Sequence, residues 1–306
     1  MKNFYSGFVT LIGRPNVGKS TLMNHLIGEK ISIVTSKPQT TRSQIRTILT
    51  DGDYQIIFID TPGLHTPKNK LGNYMVHAAL NTLGDVDAVV YMVEPKLHKG
   101  NIPDGDKNIL DKLNNIKTPV FLAINKTDKV AKPELLTLID IYSQAYPFKE
   151  IIPLSAITGD NTPALLAALR GVLEIGPMYF PEDQITDQPE RQITAEIIRE
   201  KVLTFLQEEI PHGVAVEITK FKERAAKGKT PPLVSIDATL YCERDSHKAI
   251  LIGKQGAMLK KIGQTARRDI EALLGSPVFL ELWVKVKKNW RDNDFLIRNF
   301  GYNDLN

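Results

Sequence analysis

Two periodicities share the first part of the chain. Apolar runs of strand length fall at 7–13, 45–50, 54–60, 88–94, 119–125 and 150–154. Between them, apolar positions recur at helical spacing over 19–28, 71–83, 106–113, 133–146 and 162–171. Strands that alternate with helices predict a mostly parallel sheet covered by helices on both faces, an α/β domain over residues 1–176. The pattern then changes. Residues 176–189 hold three prolines among turn-forming polar residues and read as a linker over 177–190. Beyond it the order is helix (191–209), strand (214–222), strand (233–242), helix, glycine loop, helix (258–273) and strand (278–287). A closing helix is expected over 290–300. This predicts a small α+β domain over 191–306.

Composition narrows the class. With 306 residues, 42% hydrophobic and 24% charged, the chain can bury a core in each of two domains. Its formal charge of +4 is too mild to identify a partner by itself. The charge is unevenly spread, however. From Arg244 to Arg291 there are eleven Lys or Arg against four acids. Cys242 is the single cysteine, which fits a reducing cytosol and a cytoplasmic protein. The N-terminus shows no signal-peptide pattern, and no stretch approaches the ~20 apolar residues of a membrane span. Any membrane contact would be peripheral, at the cytoplasmic face.

The strongest chemical signal is Gly13-Arg14-Pro15-Asn16-Val17-Gly18-Lys19-Ser20, followed by Thr21, a match to G-x-x-x-x-G-K-S between an apolar strand and a helix pattern. Glycines let backbone N–H groups wrap a phosphate, and the helix N-terminus adds a favourable dipole. Lys19 would reach β- and γ-phosphate oxygens, and Ser20 would offer a hydroxyl to Mg²⁺. A second turn, Asp60-Thr61-Pro62-Gly63-Leu64, ends another apolar strand, where a carboxylate can support the metal and the Gly63 N–H can meet a γ-phosphate. A third, Asn125-Lys126-Thr127-Asp128, follows a third strand. Asp128 can accept from guanine N1–H and the exocyclic amine together, a donor pair that adenine lacks on that edge. Ser155-Ala156, after a further strand, can present its backbone to guanine O6. Each of the last three is an ordinary polar turn in isolation. In this order behind a phosphate loop they specify guanine.

In the second region, Gly253-Lys254-Gln255-Gly256 lies between two helix patterns. A Gly-x-x-Gly loop lets the backbone approach a nucleic-acid strand closely. Alone it is equally a helix end followed by a turn. Lys260, Lys261 and Arg267 on the next helix could be a solvated face. The loop, the element order and the local basic charge together point to single-stranded RNA.

The four nucleotide motifs resemble those of translation-factor-type GTPases. Lys37-Pro38-Gln39-Thr40-Thr41-Arg42 resembles the first switch segment of the Era family. The second region is similar to a type II KH fold, and a GTPase domain followed by such a fold is the Era architecture. Residues 176–184 and Glu196-Ile197-Ile198-Arg199-Glu200-Lys201 resemble Era as well, so the likeness runs from about Gly7 to Val286. It implies a GTP/GDP switch with Mg²⁺ held by Ser20 and by Thr40 or Thr41, with Asp60 outside the first ring of ligands. It further implies binding near the 3′ end of 16S rRNA, a role in maturing the small (30S) subunit, and action as a monomer. Leu64 stands where Ras-like proteins carry a water-orienting glutamine, so hydrolysis is expected to be slow, on the order of 10⁻⁴ to 10⁻² s⁻¹. His65 is a substitute base only if its loop holds it in place. Asn16 occupies the position of a K⁺-binding asparagine in potassium-activated GTPases, and suits a turn equally well. The competing readings are a GTPase whose second domain binds protein or membrane, one that assists tRNA modification, and a module that holds GTP without hydrolysing it.

Overall fold

The computed structural model describes residues 3–35, 37, 40–64, 67, 69–207, 210–226 and 232–302. Internal packing divides the chain into two units. The first comprises Met1–Ser32, Thr41–Lys68 and Gly72–Asp187, and the second Ile33–Thr40, Asn69–Leu71 and Gln188–Asn306.

The first unit is built on a sheet in the order β2-β3-β1-β4-β5-β6. Its strands are β1 (Tyr5–Gly13), β2 (Ile45–Asp51), β3 (Tyr54–Asp60), β4 (Ala88–Val93), β5 (Val120–Ile124) and β6 (Glu150–Pro153). All neighbours are parallel except β2, which pairs antiparallel with β3. Every residue of β3, β4 and β5 is buried. Helices therefore cover both faces, and these strands read as continuous apolar runs rather than alternating ones. One face packs on α1 (Lys19–Ile27) and α5 (Thr162–Arg170) through Leu22, Met23, Leu165 and Leu169. The other packs on α2 (Lys70–Asn81), α3 (Asp104–Leu113) and α4 (Lys132–Ala145) through Ala79, Ile109, Leu113 and Leu138. The parallel strands all end on one edge, where ligands bind in open α/β sheets.

The segment expected to be a linker is stitched to this unit as far as Asp187. Gln55 is fully buried on β3; its Oε1 accepts from the N–H groups of Tyr179 (2.9 Å) and Phe180 (3.1 Å), and its Nε2 donates to Phe180 O (2.9 Å). Ile48 N–H donates to Ile185 O at 2.9 Å, and Thr186 Oγ1 to Arg46 O at 2.7 Å. A two-residue strand, β7 (Glu174–Ile175), pairs antiparallel with the start of β1. It is too short to leave a periodicity. Prolines here shape a path along a sheet rather than a free tether.

The second unit holds a three-stranded sheet in the order β10-β9-β8, formed by β8 (Ala215–Arg224), β9 (Leu233–Cys242) and β10 (Val278–Val286). The central β9 is antiparallel to β8 and parallel to β10. Helices α6 (Glu190–Phe205), α7 (Asp245–Ile252) and α8 (Ala257–Leu274) bury Ile197, Val202, Leu251, Ile262, Ala266 and Ile270 against one sheet face. Helix α6 stops earlier than its pattern suggests, because Leu206 turns extended and is itself buried. The closing helix is broken: a tight turn at Trp290–Asp292 precedes α9 (Asp294–Asn299). Asn293 causes the break, since its side chain caps the Leu296 N–H at 3.1 Å. Trp290 is fully buried and donates through Nε1 to Gly213 O at 2.9 Å. Among the described residues, no helix is long and apolar enough to cross a membrane.

Candidate functional sites

The phosphate loop joins β1 to α1, with Asn16 (φ 67°) and Gly18 (φ 106°) in left-handed backbone. A side chain at Gly18 would strike Asn125 Nδ2 at 2.1 Å, so only glycine permits this approach. Asn125 Nδ2 donates to Val17 O at 2.7 Å, and Asn125 Oδ1 accepts from the N–H groups of Ala156 (2.8 Å) and Lys126 (2.7 Å). One side chain thus ties together the phosphate loop and both loops expected to read the base. Within the Ser155-Ala156 backbone expected to meet guanine O6, the Ala156 N–H is engaged by Asn125. Lys126 Nζ donates to Asn16 O at 2.8 Å and pairs with Glu94. Asp128 Oδ1 accepts from Ser155 Oγ at 2.7 Å, which orients the carboxylate meant for the base.

Lys19 is buried, and its Nζ donates to Gly13 O (3.2 Å) and Arg14 O (3.4 Å). Burial drives its pKa down to about 8, although nearby Asp60 favours the charge. A buried ammonium with mostly backbone acceptors around it suits an anionic ligand. Asp60 is fully buried too, and burial raises its pKa, opposed by Lys19 and by the hydroxyls of Ser20, Ser32 and Thr41. Its Oδ2 accepts from Ser20 Oγ at 2.8 Å, whereas its Oδ1 is buried without a hydrogen bond. Ser20 Oγ also lies 3.1 Å from Thr41 Oγ1. Two hydroxyls and an underused carboxylate oxygen form an oxygen-only set of the kind Mg²⁺ takes.

This geometry separates the two threonines. Thr41 joins Ser20 and Asp60. The Thr40 hydroxyl instead lies within its own segment, donating to Lys37 O at 2.7 Å and meeting Thr35 Oγ1 at 2.8 Å. Thr61 also has a different job from its neighbours, since its hydroxyl donates to Leu11 O at 2.6 Å and locks the turn to the sheet. Leu64 donates its N–H to Gly13 O at 3.1 Å and sinks its side chain into the core beside Ile12 and Ala79. His65 lies outside the described residues.

In the second unit, the loop between α7 and α8 carries positive φ at Gly253 (72°), Gln255 (51°) and Gly256 (78°). A side chain at Gly253 would press on the Met258 backbone nitrogen at 2.9 Å. Lys254 and Gln255 are exposed at the tip. Behind the loop, a groove of about 390 Å³ runs between α8 and β10, lined by Gly256, Leu259, Lys260, Gly263, Gln264, Arg267, Leu280 and Leu282. Lys260 and Arg267 therefore flank an apolar floor, the combination that holds a phosphate backbone and its bases. Lys261 does not line this groove. Its ammonium sits 4.3 Å from the centroid of the Phe205 ring, on a different side of α8 from the groove. Sequence reasoning missed Leu259, Gly263, Gln264, Leu280 and Leu282. The spacing 256, 260, 263, 267 marks one helix face and could have found the helical members.

A family model described as "50S ribosome-binding GTPase" matches residues 8–126, and one described as "KH domain" matches residues 209–291. The chain is 54% identical to GTPase Era of Clostridioides difficile over 302 residues, covering 98% of this chain and 99% of that one. It is 52% identical to GTPase Era of Ruminiclostridium cellulolyticum over 300 residues, 98% of each. Among solved structures it is similar to Era in complex with MgGDPNP and nucleotides 1506–1542 of 16S ribosomal RNA, with TM-score 0.92 and 39% identity over 98% of this chain and 99% of that one. It is also similar to a point variant of Aquifex aeolicus Era bound to GDP and AlF4⁻, with TM-score 0.91, 38% identity and the same coverage.

Proposed function

The chain belongs to the Era family of GTPases, and from that premise we propose that it is a GTP-hydrolysing switch that binds the 3′ region of 16S rRNA and acts in maturing the small ribosomal subunit. The observation that carries the reading is the convergence at the strand ends: buried Lys19, the Ser20–Asp60–Thr41 oxygen set, and Asp128 aimed by Ser155.

The loop at 13–18 wraps the phosphates of GTP, and Lys19 lies against their β- and γ-oxygens. Mg²⁺, when bound beside Ser20 and Thr41, supplies positive charge to the same oxygens. Asp60 would support the metal through the Ser20 hydroxyl that it accepts from, and Asp128 selects guanine. Water attacks the γ-phosphorus in line, the bond to the bridging oxygen breaks, and GDP carries away the charge that Lys19 and the loop N–H groups neutralise. Leu64 is buried and offers no hydrogen bond to that water. This agrees with slow turnover and with a role as a switch rather than a metabolic catalyst. A K⁺ ion beside Asn16 is part of the proposal as an additional source of positive charge between the phosphates.

The RNA half of the reading rests on the groove between α8 and β10, lined by Lys260 and Arg267, and on the exposed Lys254 of the glycine loop. An Era structure that spans almost the whole chain contains nucleotides 1506–1542 of 16S rRNA. The proposal takes one copy of the chain and requires no membrane. The test is a titration of labelled RNA of that sequence with GDP and with a non-hydrolysable GTP analogue, at two salt concentrations, with GTP turnover measured in KCl and in NaCl. Tighter binding with the analogue and weakening with salt are expected. Equal affinity in both nucleotide states with flat salt dependence overturns the switch and the RNA site together. Equal turnover in the two salts removes K⁺.

A further inference from the structure

Arg14 of the phosphate loop is held by an acid of α3, and Asn16 by Lys126, which is paired in turn with an acid just after β4. Asp106, in the first turn of α3, is fully buried. Its Oδ1 accepts from Arg14 Nε at 2.9 Å and from the Tyr91 hydroxyl at 2.9 Å, and its Oδ2 faces the Tyr142 hydroxyl at 3.4 Å. Burial raises the pKa of both tyrosines, so they remain neutral donors. The α3 backbone also touches the guanidinium stem, since a side chain at Gly105 would meet Arg14 Cδ at 2.8 Å. The second acid, Glu94, directly follows β4 and pairs with Lys126, whose ammonium donates to Asn16 O at 2.8 Å.

The loop residues held this way shape the phosphate site. The Arg14 carbonyl accepts from Lys19 Nζ, and the Gly13 carbonyl before it accepts from both Lys19 and the Leu64 N–H. Neither acid belongs to the nucleotide motifs, and neither lies among the residues that would touch GTP. We propose that Glu94 and Asp106 are positioning residues that clamp Arg14–Asn16 of the phosphate loop from both ends and so set how tightly the nucleotide is held. The inference rests on the GTP-binding reading above. Its physical basis is that a loop cradling phosphate by backbone groups works only at one geometry, and displacements on the order of 1 Å cost about 10²-fold in such sites.

The test uses the full chain and fluorescent mant-GDP, with three readouts: the GDP release rate, the KM for GTP and the thermal midpoint. Glu94 and Lys126 are partly exposed, at 27% and 29%, so Glu94→Gln should leave the midpoint unchanged. Release and KM should rise about tenfold, the scale of one charge-assisted contact. Glu94→Asp, which keeps the charge, should release GDP more slowly than Glu94→Gln. Asp106→Asn leaves the half-buried Arg14 without its charge partner and risks lowering the midpoint. The neutral pair R14M/D106N answers that, because it removes both charges together and keeps an amide oxygen to accept from the Tyr91 and Tyr142 hydroxyls. It should recover the wild-type midpoint and still release GDP about tenfold faster than wild type. Wild-type release rates in both Glu94→Gln and R14M/D106N, at intact midpoints, overturn the inference. Failure of the wild-type chain to bind mant-GDP would instead overturn the function on which it rests.

Discussion

The nucleotide site and the RNA groove are built on opposite principles. The first is made of backbone groups and buried side chains at the ends of four parallel strands, and its parts hold one another: Asn125 ties three loops, Ser155 aims Asp128, and Ser20 joins Asp60 to Thr41. The second is made of exposed cations beside an apolar floor on one helix face and one strand. A ligand that demands one geometry, such as a triphosphate with a metal, needs the first kind of site. A flexible polyanion whose affinity comes from charge and stacking is served by the second. The difference predicts that single changes at the nucleotide site act nearly all-or-none, whereas changes in the groove act in increments.

The largest effect should come from Lys19→Ala. Removing the buried ammonium should weaken GTP binding by roughly 10²–10³-fold or more, while affinity for RNA in the nucleotide-free protein changes little. Nucleotide binding by fluorescence and RNA binding by anisotropy check this, and equal loss of both would show that the sites are not separable. Next is Gly253→Asp, which places bulk and negative charge on the RNA loop. RNA affinity should fall on the order of tenfold with GTP affinity unchanged. Both loop glycines carry positive φ, so any side chain there is strained. Gly256→Asn is therefore set against Gly256→Asp: the two side chains are nearly the same shape and differ in charge, with nothing within 4 Å of the new Cβ. A larger loss in Gly256→Asp than in Gly256→Asn assigns the effect to charge rather than to strain, and unchanged RNA affinity in Gly253→Asp and Gly256→Asp removes the loop from the site. The smallest and sharpest contrast is Lys260→Ala against Lys261→Ala. Lys260 lines the groove, so its loss should lower the salt slope of RNA binding by about one. Lys261 lies over Phe205, so its loss should change that slope by less than half as much. Equal slopes would show that the charge of α8 acts as a whole rather than by face.

The contrast also explains what could be read in advance. Strands whose every residue is buried appear as unbroken apolar runs, and phosphate-binding turns need specific residues at fixed spacing. The α/β unit, its loops at 13–20, 60–64, 125–128 and 155–156, and the helix–strand–strand–helix–loop–helix–strand order of the second unit were therefore determined by sequence alone. Tertiary structure decided the rest. Thr40 and Thr41 are adjacent and chemically identical, and only the position of Ser20 separates them. Lys260 and Lys261 differ by one residue, and the roughly 100° turn between them decides which one meets the groove. Residues 177–187 look like a tether until Gln55, a polar residue inside an apolar strand, is found hydrogen-bonded to Tyr179 and Phe180. Glu94 and Asp106 belong to no motif at all. Local patterns record what a residue requires of its neighbours along the chain, whereas these assignments depend on partners distant in sequence, which only the folded chain brings within hydrogen-bonding range.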